Sequence, residues 1–345
     1  MEISVATDQE WHIIRYSAGD KERWDRFVRR SKNGTFLMQR DYMDYHADRF
    51  TDASLVFRDA KGDVCGLLPA NYDQGSQTVV SHGGLTYGGL IISGKVTQTS
   101  ANTMLALAAA FYGKEYMARS LIYKPVPYIY HTMPAQEDLY ALHCMGATLK
   151  WRAVSSTLVP ACHLPFRKGR KACITKARRL GLEVERAVDG NSLQCFHELL
   201  SESLGRRHNV SPVHSFCEMS LLMKRFPNNI QLYVAKKNEK LYSGAWVFIT
   251  DNVVHTQYLV NSDEGRGMGA EDILLDYLIN HEFVEKQYFD FGISTEKNGT
   301  YLNENLISMK EGFGARSVCY DTYELSLVEM ARNGWNPSEI HNSNK

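Results

Sequence analysis

The sequence predicts a mixed α+β protein of two tandem domains, each a twisted, largely antiparallel mixed sheet flanked by helices. Three observations predict it. Segments of strand period and helix period alternate through most of the chain. At 345 residues the chain is long for one core and comfortable for two. The two halves also carry the same pieces in the same order. FRDAKGDVCGLLPA at 57–70 and VAKKNEKLYSGAWVF at 234–248 each read strand, charged turn, strand, with Gly66 and Gly244 in nearly matching places. Residues 138–159 and 304–325 each read helix, then Met145-Gly-Ala147 or Phe313-Gly-Ala315, then strand. A duplication explains both pairs. It sets domains at 1–155 and 156–330, with a polar tail at 331–345.

Within the first half, Trp24, Phe27 and Val28 sit at helical spacing inside 20–30, and 41–50 reads as a second helix. Segments 53–57 and 64–71 flank the turn Asp59-Ala60-Lys61-Gly62 as a hairpin. A glycine-rich stretch, 81–90, precedes a long helix over 100–118, and 135–144 is helical up to Gly146. The second half opens on a basic helix, 168–180, closed by Gly181. Strand 182–187 and an amphipathic helix over 191–207 follow, and Ser211-Pro212 supplies a cap for the next helix. Strands are expected at 230–236, 241–249, 253–260, 288–292 and 317–325.

Lysine plus arginine equals aspartate plus glutamate at 39 each, so any anion site must be local rather than a property of net charge. The N-terminal residues lack the apolar segment of a signal peptide, and the most apolar run, 104–112, is too short to span a bilayer. A cytoplasmic protein without a transmembrane segment is expected. The seven cysteines are odd in number and widely spaced, which points to reduced thiols. Cys162-His163 is an isolated ligand pair, so no metal site is expected.

The sharpest local feature is HTQYLVNSDEGRGMGA at 255–270. A strand runs into a glycine-rich loop that opens a helix, an arrangement that turns backbone amides and a helix N-terminus toward an anion. Gly265, Gly267 and Gly269 permit close approach, Arg266 adds charge, and Met268 and Ala270 complete the run. The expected ligand is a phosphate or diphosphate. The spacing is neither a Walker loop nor a dinucleotide fingerprint. Arg266-Gly-Met-Gly-Ala270 resembles the pyrophosphate loop of the GNAT acyltransferases, which cradles coenzyme A. FGISTE at 291–296, Asn303 and KEGFGA at 310–315 resemble the C-terminal signature of the FemABX family. The basic segment RKGRKACITKARRLGLEVE at 167–185 is similar to the helix that starts that family's second domain.

That resemblance implies two GNAT-like domains, the second holding an acyl donor and the first, without such a loop, serving the acceptor. An acetyl-CoA or other acyl-CoA thioester is the implied donor, with no metal. Two departures from the aminoacyl-tRNA-using members favour the thioester: the glycine-rich loop itself, and the lack of a heptad arm.

An attacking amine must lose a proton, and the oxyanion needs a donor. Glu296, beyond the strand at 289–292, is the first candidate base, with His255 and His208 as alternatives; a solvated or capping acid is the plainer reading of Glu296. Tyr258 faces the acyl group or the core. Lys310 is assigned to a phosphate or oxyanion, or else to the helix dipole. Arg206, Arg207 and His208 end a helix where a substrate phosphate could be held, and His82, Tyr87, Gly88 and Asn303 are further substrate candidates. The cations at 167, 168, 170, 171, 176, 178 and 179, with no acid among them, are suited to a polyanion or form a solvated face.

The leading expectation is acyl transfer from acyl-CoA to the amine of an amino sugar or a nucleotide-linked glycan precursor in cell-envelope biogenesis. The alternative is aminoacyl transfer from tRNA to a peptidoglycan precursor, and a third reading is a binding protein with relic loops. The sequence assigns no oligomeric state.

Overall fold

The computed structural model describes residues 2–5, 11–208 and 210–332, so the expected polar tail lies outside the described residues from 333 onward. The chain divides into two compact units, 1–152 with 320–345, and 153–319. The C-terminal part of the last long strand falls in the first unit, because residues 323–326 pair with a strand of that unit.

The first unit begins with β1 (Glu2–Val5), β2 (Trp11–Arg15), α1 (Lys21–Val28), α2 (Arg40–Met43) and β3 (Thr51–Asp52). It continues through β4 (Leu55–Arg58), β5 (Val64–Leu68), β6 (Asn71–Asp73), β7 (Thr78–Val80) and β8 (Ile91–Ile92). Then come α3 (Gln98–Glu115), β9 (Ser120–Tyr123), α4 (Glu137–Cys144) and the start of β10 (Thr148–Leu158). One sheet is antiparallel, in the order β1-β2-β4-β5-β8. A second set runs β9-β7-β6-β3, with β7 and β9 parallel. The helix expected over 41–50 is one α-turn, α2, followed by 3-10 turns that kink at His46.

The second unit contains α5 (Lys168–Arg179), β11 (Glu183–Ala187), α6 (Gly190–His208), α7 (Phe216–Arg225), β12 (Ile230–Lys237), β13 (Lys240–Ile249) and β14 (Val253–Asn261). It goes on through α8 (Asp263–Met268), α9 (Ala270–Tyr277), β15 (Tyr288–Ile293), β16 (Thr295–Glu296), β17 (Tyr301–Leu302) and α10 (Glu304–Glu311) to β18 (Arg316–Ser326). α11 (Leu327–Arg332) closes the described chain. Its sheet runs β11-β12-β13-β14-β15-β10, antiparallel except for the parallel pair β14 and β15.

The duplicated pieces take matching shapes. Both charged turns join antiparallel neighbours, β4–β5 and β12–β13. A Cβ on Gly66 would lie 2.9 Å from Met104 Sδ, and one on Gly244 2.5 Å from Phe196, so each glycine lets a helix close on a strand. Gly146 and Gly314 follow α4 and α10 with φ of +77° and +88°, the left-handed turn that ends each helix before its strand.

One face of the second sheet is covered by α5 and α9. Ile174, Ala177, Ile273, Leu274, Leu275, Val247, Val254 and Phe289 form that core. Full burial of a Leu or Ile contributes about 1.5–3 kcal/mol. The ion pairs Arg170–Asp272 (3.0 Å) and Arg178–Asp276 (2.6 Å) join the two helices at a partly exposed edge. Such pairs contribute about 0–1 kcal/mol each, so apolar burial holds the helices and the ions fix their register. The opposite face carries Trp246, Phe248 and Tyr258 toward α6 and the segment leading into α7. The cap of α7 is Ser215, whose hydroxyl accepts from the Glu218 N–H while the Glu218 carboxylate accepts from the Ser215 N–H. This capping box, rather than Ser211-Pro212, starts the helix.

Candidate active site

The site grows from an irregularity in β14. Trp246 pairs with Tyr258, yet Val247 pairs with Thr256, so Gln257 is an extra residue bulged out of the ladder. The bulge shifts the side-chain alternation by one. His255, opposite Phe248, and Tyr258, opposite Trp246, therefore share a face. β14 pairs in parallel with β15 over Val253–His255 and Tyr288–Asp290. Past that point β15 pairs with β10 alone, Ile293 lying opposite Ser155, and Gly292 takes φ of +76°. The two central strands thus part just beyond His255, beside the bulge.

At this parting sits a buried carboxylate. Asp290 is fully buried and accepts hydrogen bonds from Ser155 Oγ (2.5 Å), Thr157 Oγ1 (2.8 Å) and His255 Nδ1 (2.8 Å). A carboxylate on Nδ1 fixes the imidazole tautomer and leaves Nε2 as the proton acceptor. A Cβ on residue 292 would lie 3.2 Å from His255 Cε1 and 3.8 Å from Nε2, so the glycine leaves room beside the ring. Tyr258 stacks on Trp246 at 17°, and its hydroxyl lies 2.9 Å from His214 Nδ1. Burial raises the Tyr258 phenol above its usual range, which keeps it protonated. Among the described residues, Gln257 Oε1 and the Trp246 indole N–H find no hydrogen-bond partner here, although both are buried.

The glycine run after β14 differs from the expected open loop. Residues 263–268 form the short helix α8, capped by Ser262 on the Gly265 amide (2.9 Å). The Arg266 and Gly269 amides bond to Ser262 and Arg266 carbonyls. Gly269 has φ of +80°, and a Cβ there would lie 2.5 Å from the Cys173 carbonyl oxygen of α5. Gly265 is similarly confined by Asn261, Tyr242 and Ser262. These two glycines serve close packing, and Gly269 and Ala270 are buried under α5. Arg266 and Gly267 remain exposed. Arg206 and Arg266 both reach the Asp263 carboxylate, at 2.9 and 3.6 Å.

Residues 166–301 match the model of the acetyltransferase (GNAT) domain family. Residues 166–301 therefore carry a GNAT domain, and the fold of the chain as a whole is GNAT-like. Its fold is similar to that of FemX, with a TM-score of 0.64 and 13% identity over 94% of this chain and 99% of that one. L-PGS from Bacillus licheniformis is also similar, at TM-score 0.58 and 15% identity over 88% and 91% of the two chains. So is a tandem GNAT protein from the clavulanic acid biosynthesis pathway, at 0.51 and 14% over 92% and 98%. No curated protein sequence matches the chain.

Within this GNAT-like fold the other candidates are placed as follows. Glu296 is exposed on the β16–β17 hairpin and accepts from Asn303 Nδ2 at 2.9 Å. Asn303 also caps α10 through the Leu306 amide. Arg206 bridges Glu202 and Asp263. His208 ends α6, and its side chain, like that of Arg207, lies outside the described residues. In the first unit His82 and Tyr87 are 4% and 3% exposed, and burial pushes the His82 imidazole down to about 3, aided by His46, Lys124 and Arg40. Tyr87 packs on Tyr130, and a Cβ on Gly88 would lie 2.0 Å from the Ser81 carbonyl oxygen. Among the described residues no group of three or more His, Cys, Asp or Glu side chains could hold a metal.

Lys310 is buried, and its ammonium donates to the carbonyls of Gly292 and Ile293, both at 2.8 Å. It holds the chain where β15 leaves β14. Burial pushes its pKa down to about 8, with Asp290 acting in the other direction. Between this value and the ordinary lysine value near 10.4, the unfolded chain keeps a proton that the folded chain has released. Stability therefore rises with pH across that window and is flat below it. Urea unfolding at about pH 7.5 and about pH 10 should show wild type gaining about 2 kcal/mol over Lys310→Met between the two. Equal changes in both proteins would remove this assignment.

Proposed function

We propose that the protein is an N-acyltransferase that moves an acyl group from an acyl-CoA thioester to the amine of an amino sugar or similar glycan precursor. The observation that carries the reading is His255, oriented by Asp290, at the point where β14 bulges and parts from β15. The acyl carbonyl would lie in that gap, its oxygen toward the backbone N–H of Gln257, the extra residue of the bulge. The amine lone pair attacks the carbonyl carbon while His255 Nε2 takes a proton from the nitrogen. The developing oxyanion is held by the amide. As the intermediate collapses the C–S bond breaks, and the thiolate takes its proton from the imidazolium. This reading gives His255 the role of base in place of Glu296, which is already engaged by Asn303.

The covered amides at 269 and 270 shift the expected diphosphate grip to side chains. Asp263 occupies a clamp of Arg206 and Arg266 that a donor diphosphate would take over. Arg206→Ala with Arg266→Ala should weaken acetyl-CoA binding about tenfold to a hundredfold by calorimetry, each contact being charge-assisted. No heat with acetyl-CoA for either protein would sink the thioester donor. The closed turn favours the second reading, an aminoacyl-tRNA donor, because an RNA phosphate chain needs no buried amide cradle. Transfer of the amino acid from charged tRNA, without any from acyl-CoA, would establish it.

A further inference from the structure

Helix α5 carries more positive charge than its packing uses. Its inner face, Ile174 and Ala177, is buried against the core, and Arg170 and Arg178 are paired with Asp272 and Asp276 of α9. Arg167 reaches Ser308 and Glu311. Lys168, Lys171, Lys176 and Arg179 are left on the outer face, all exposed. At 100° per residue they fall within one arc of less than half the helix circumference. Among the described residues these four make no side-chain hydrogen bond or salt bridge.

Their placement works against the helix. Lys168 is the first helical residue and Arg167 its cap, with no acid in the first turn, so the positive end of the helix dipole meets further positive charge. Like charges three apart, 168 with 171 and 176 with 179, repel one another. A face that needed only solubility would intersperse acids. The chain as a whole is balanced at 39 cations and 39 acids, so this stripe is a local segregation of charge.

We infer that the outer face of α5 docks the enzyme on an anionic lipid surface. The remaining outer positions, Ala172 and Thr175, are small, so the stripe is flat and about 16 Å long at 1.5 Å per residue. It holds no aromatic, Asn or Gln side chain with which to stack on or read bases. Leu164, four residues before Lys168 in the chain, is an apolar side chain left 48% exposed.

The test is co-sedimentation of the full chain with phosphatidylcholine vesicles, with and without about a third phosphatidylglycerol. Binding to the anionic vesicles should fall about a thousandfold when Lys168, Lys171, Lys176 and Arg179 are all changed to Gln, each basic residue near such a surface being worth about a factor of five. It should also fall as salt is raised. Neutralising the exposed Lys61, Lys95, Lys224 and Lys297 instead should leave binding within a few-fold, and unchanged circular dichroism would show that both variants fold. Equal loss in the two variants, or no preference for anionic vesicles, overturns the inference. So does an RNA hairpin that binds through the same four residues and displaces the vesicles.

Discussion

His255→Gln is expected to lower turnover about a hundredfold to ten-thousandfold, with donor affinity changed by less than threefold. Glutamine approximates the shape of the imidazole and can still meet Asp290, but it cannot take a proton from an attacking amine. Donor binding should survive because the arginine clamp at Asp263 is built on α6 and α8, not on the bulged part of β14. Glu296→Gln is the informative companion. Its side chain is exposed and tied to Asn303, so its turnover should stay within a few-fold of wild type. The measurement is single-turnover acyl transfer with saturating donor. A large loss in the Glu296 variant beside a small one in the His255 variant would return the base to the hairpin.

The contrast between those two residues shows which features were legible in the sequence. The duplicated scaffold was, because strand–turn–strand and helix–glycine–strand pieces are local patterns that repeat, and Gly66 and Gly244 do the same job in both copies. The helix at 168–179 was, because its charge and its terminal Gly181 lie within one segment. The bulge at Gln257 was not. It exists only in the register between β13 and β14, and without it His255 and Tyr258 cannot be placed on one face. The glycine run suggested an open cradle because glycine permits it, but Gly269 is required by the carbonyl of Cys173, nearly a hundred positions away in the chain. Asp290 was missed although a signal was present. A lone acid between Phe289 and Phe291 in an apolar strand must find partners when buried. Ser155 and Thr157, which supply two of them, carry no such mark.

Asp290→Asn should then be the most damaging single change in the second unit, through two effects that separate experimentally. The carboxylate accepts three hydrogen bonds with no exposure to water, and an amide in its place turns one acceptor into a donor facing Ser155, Thr157 or His255. Breaking a buried charged network by removing one partner costs about 3–5 kcal/mol, enough to lower the urea midpoint well outside error. Lys310, whose charge Asp290 partly balances, loses that support in the same step. Turnover of the protein that remains folded should fall as far as in His255→Gln, since an amide that presents its N–H to Nδ1 selects the wrong imidazole tautomer. Thr157→Val keeps the carboxylate and removes one donor. It should cost about 1–3 kcal/mol of stability while leaving turnover within about tenfold. If Asp290→Asn folds with wild-type turnover, the carboxylate only holds β10 to β15 and His255 acts without it; if Thr157→Val abolishes turnover with little loss of stability, the hydroxyl itself meets the substrate.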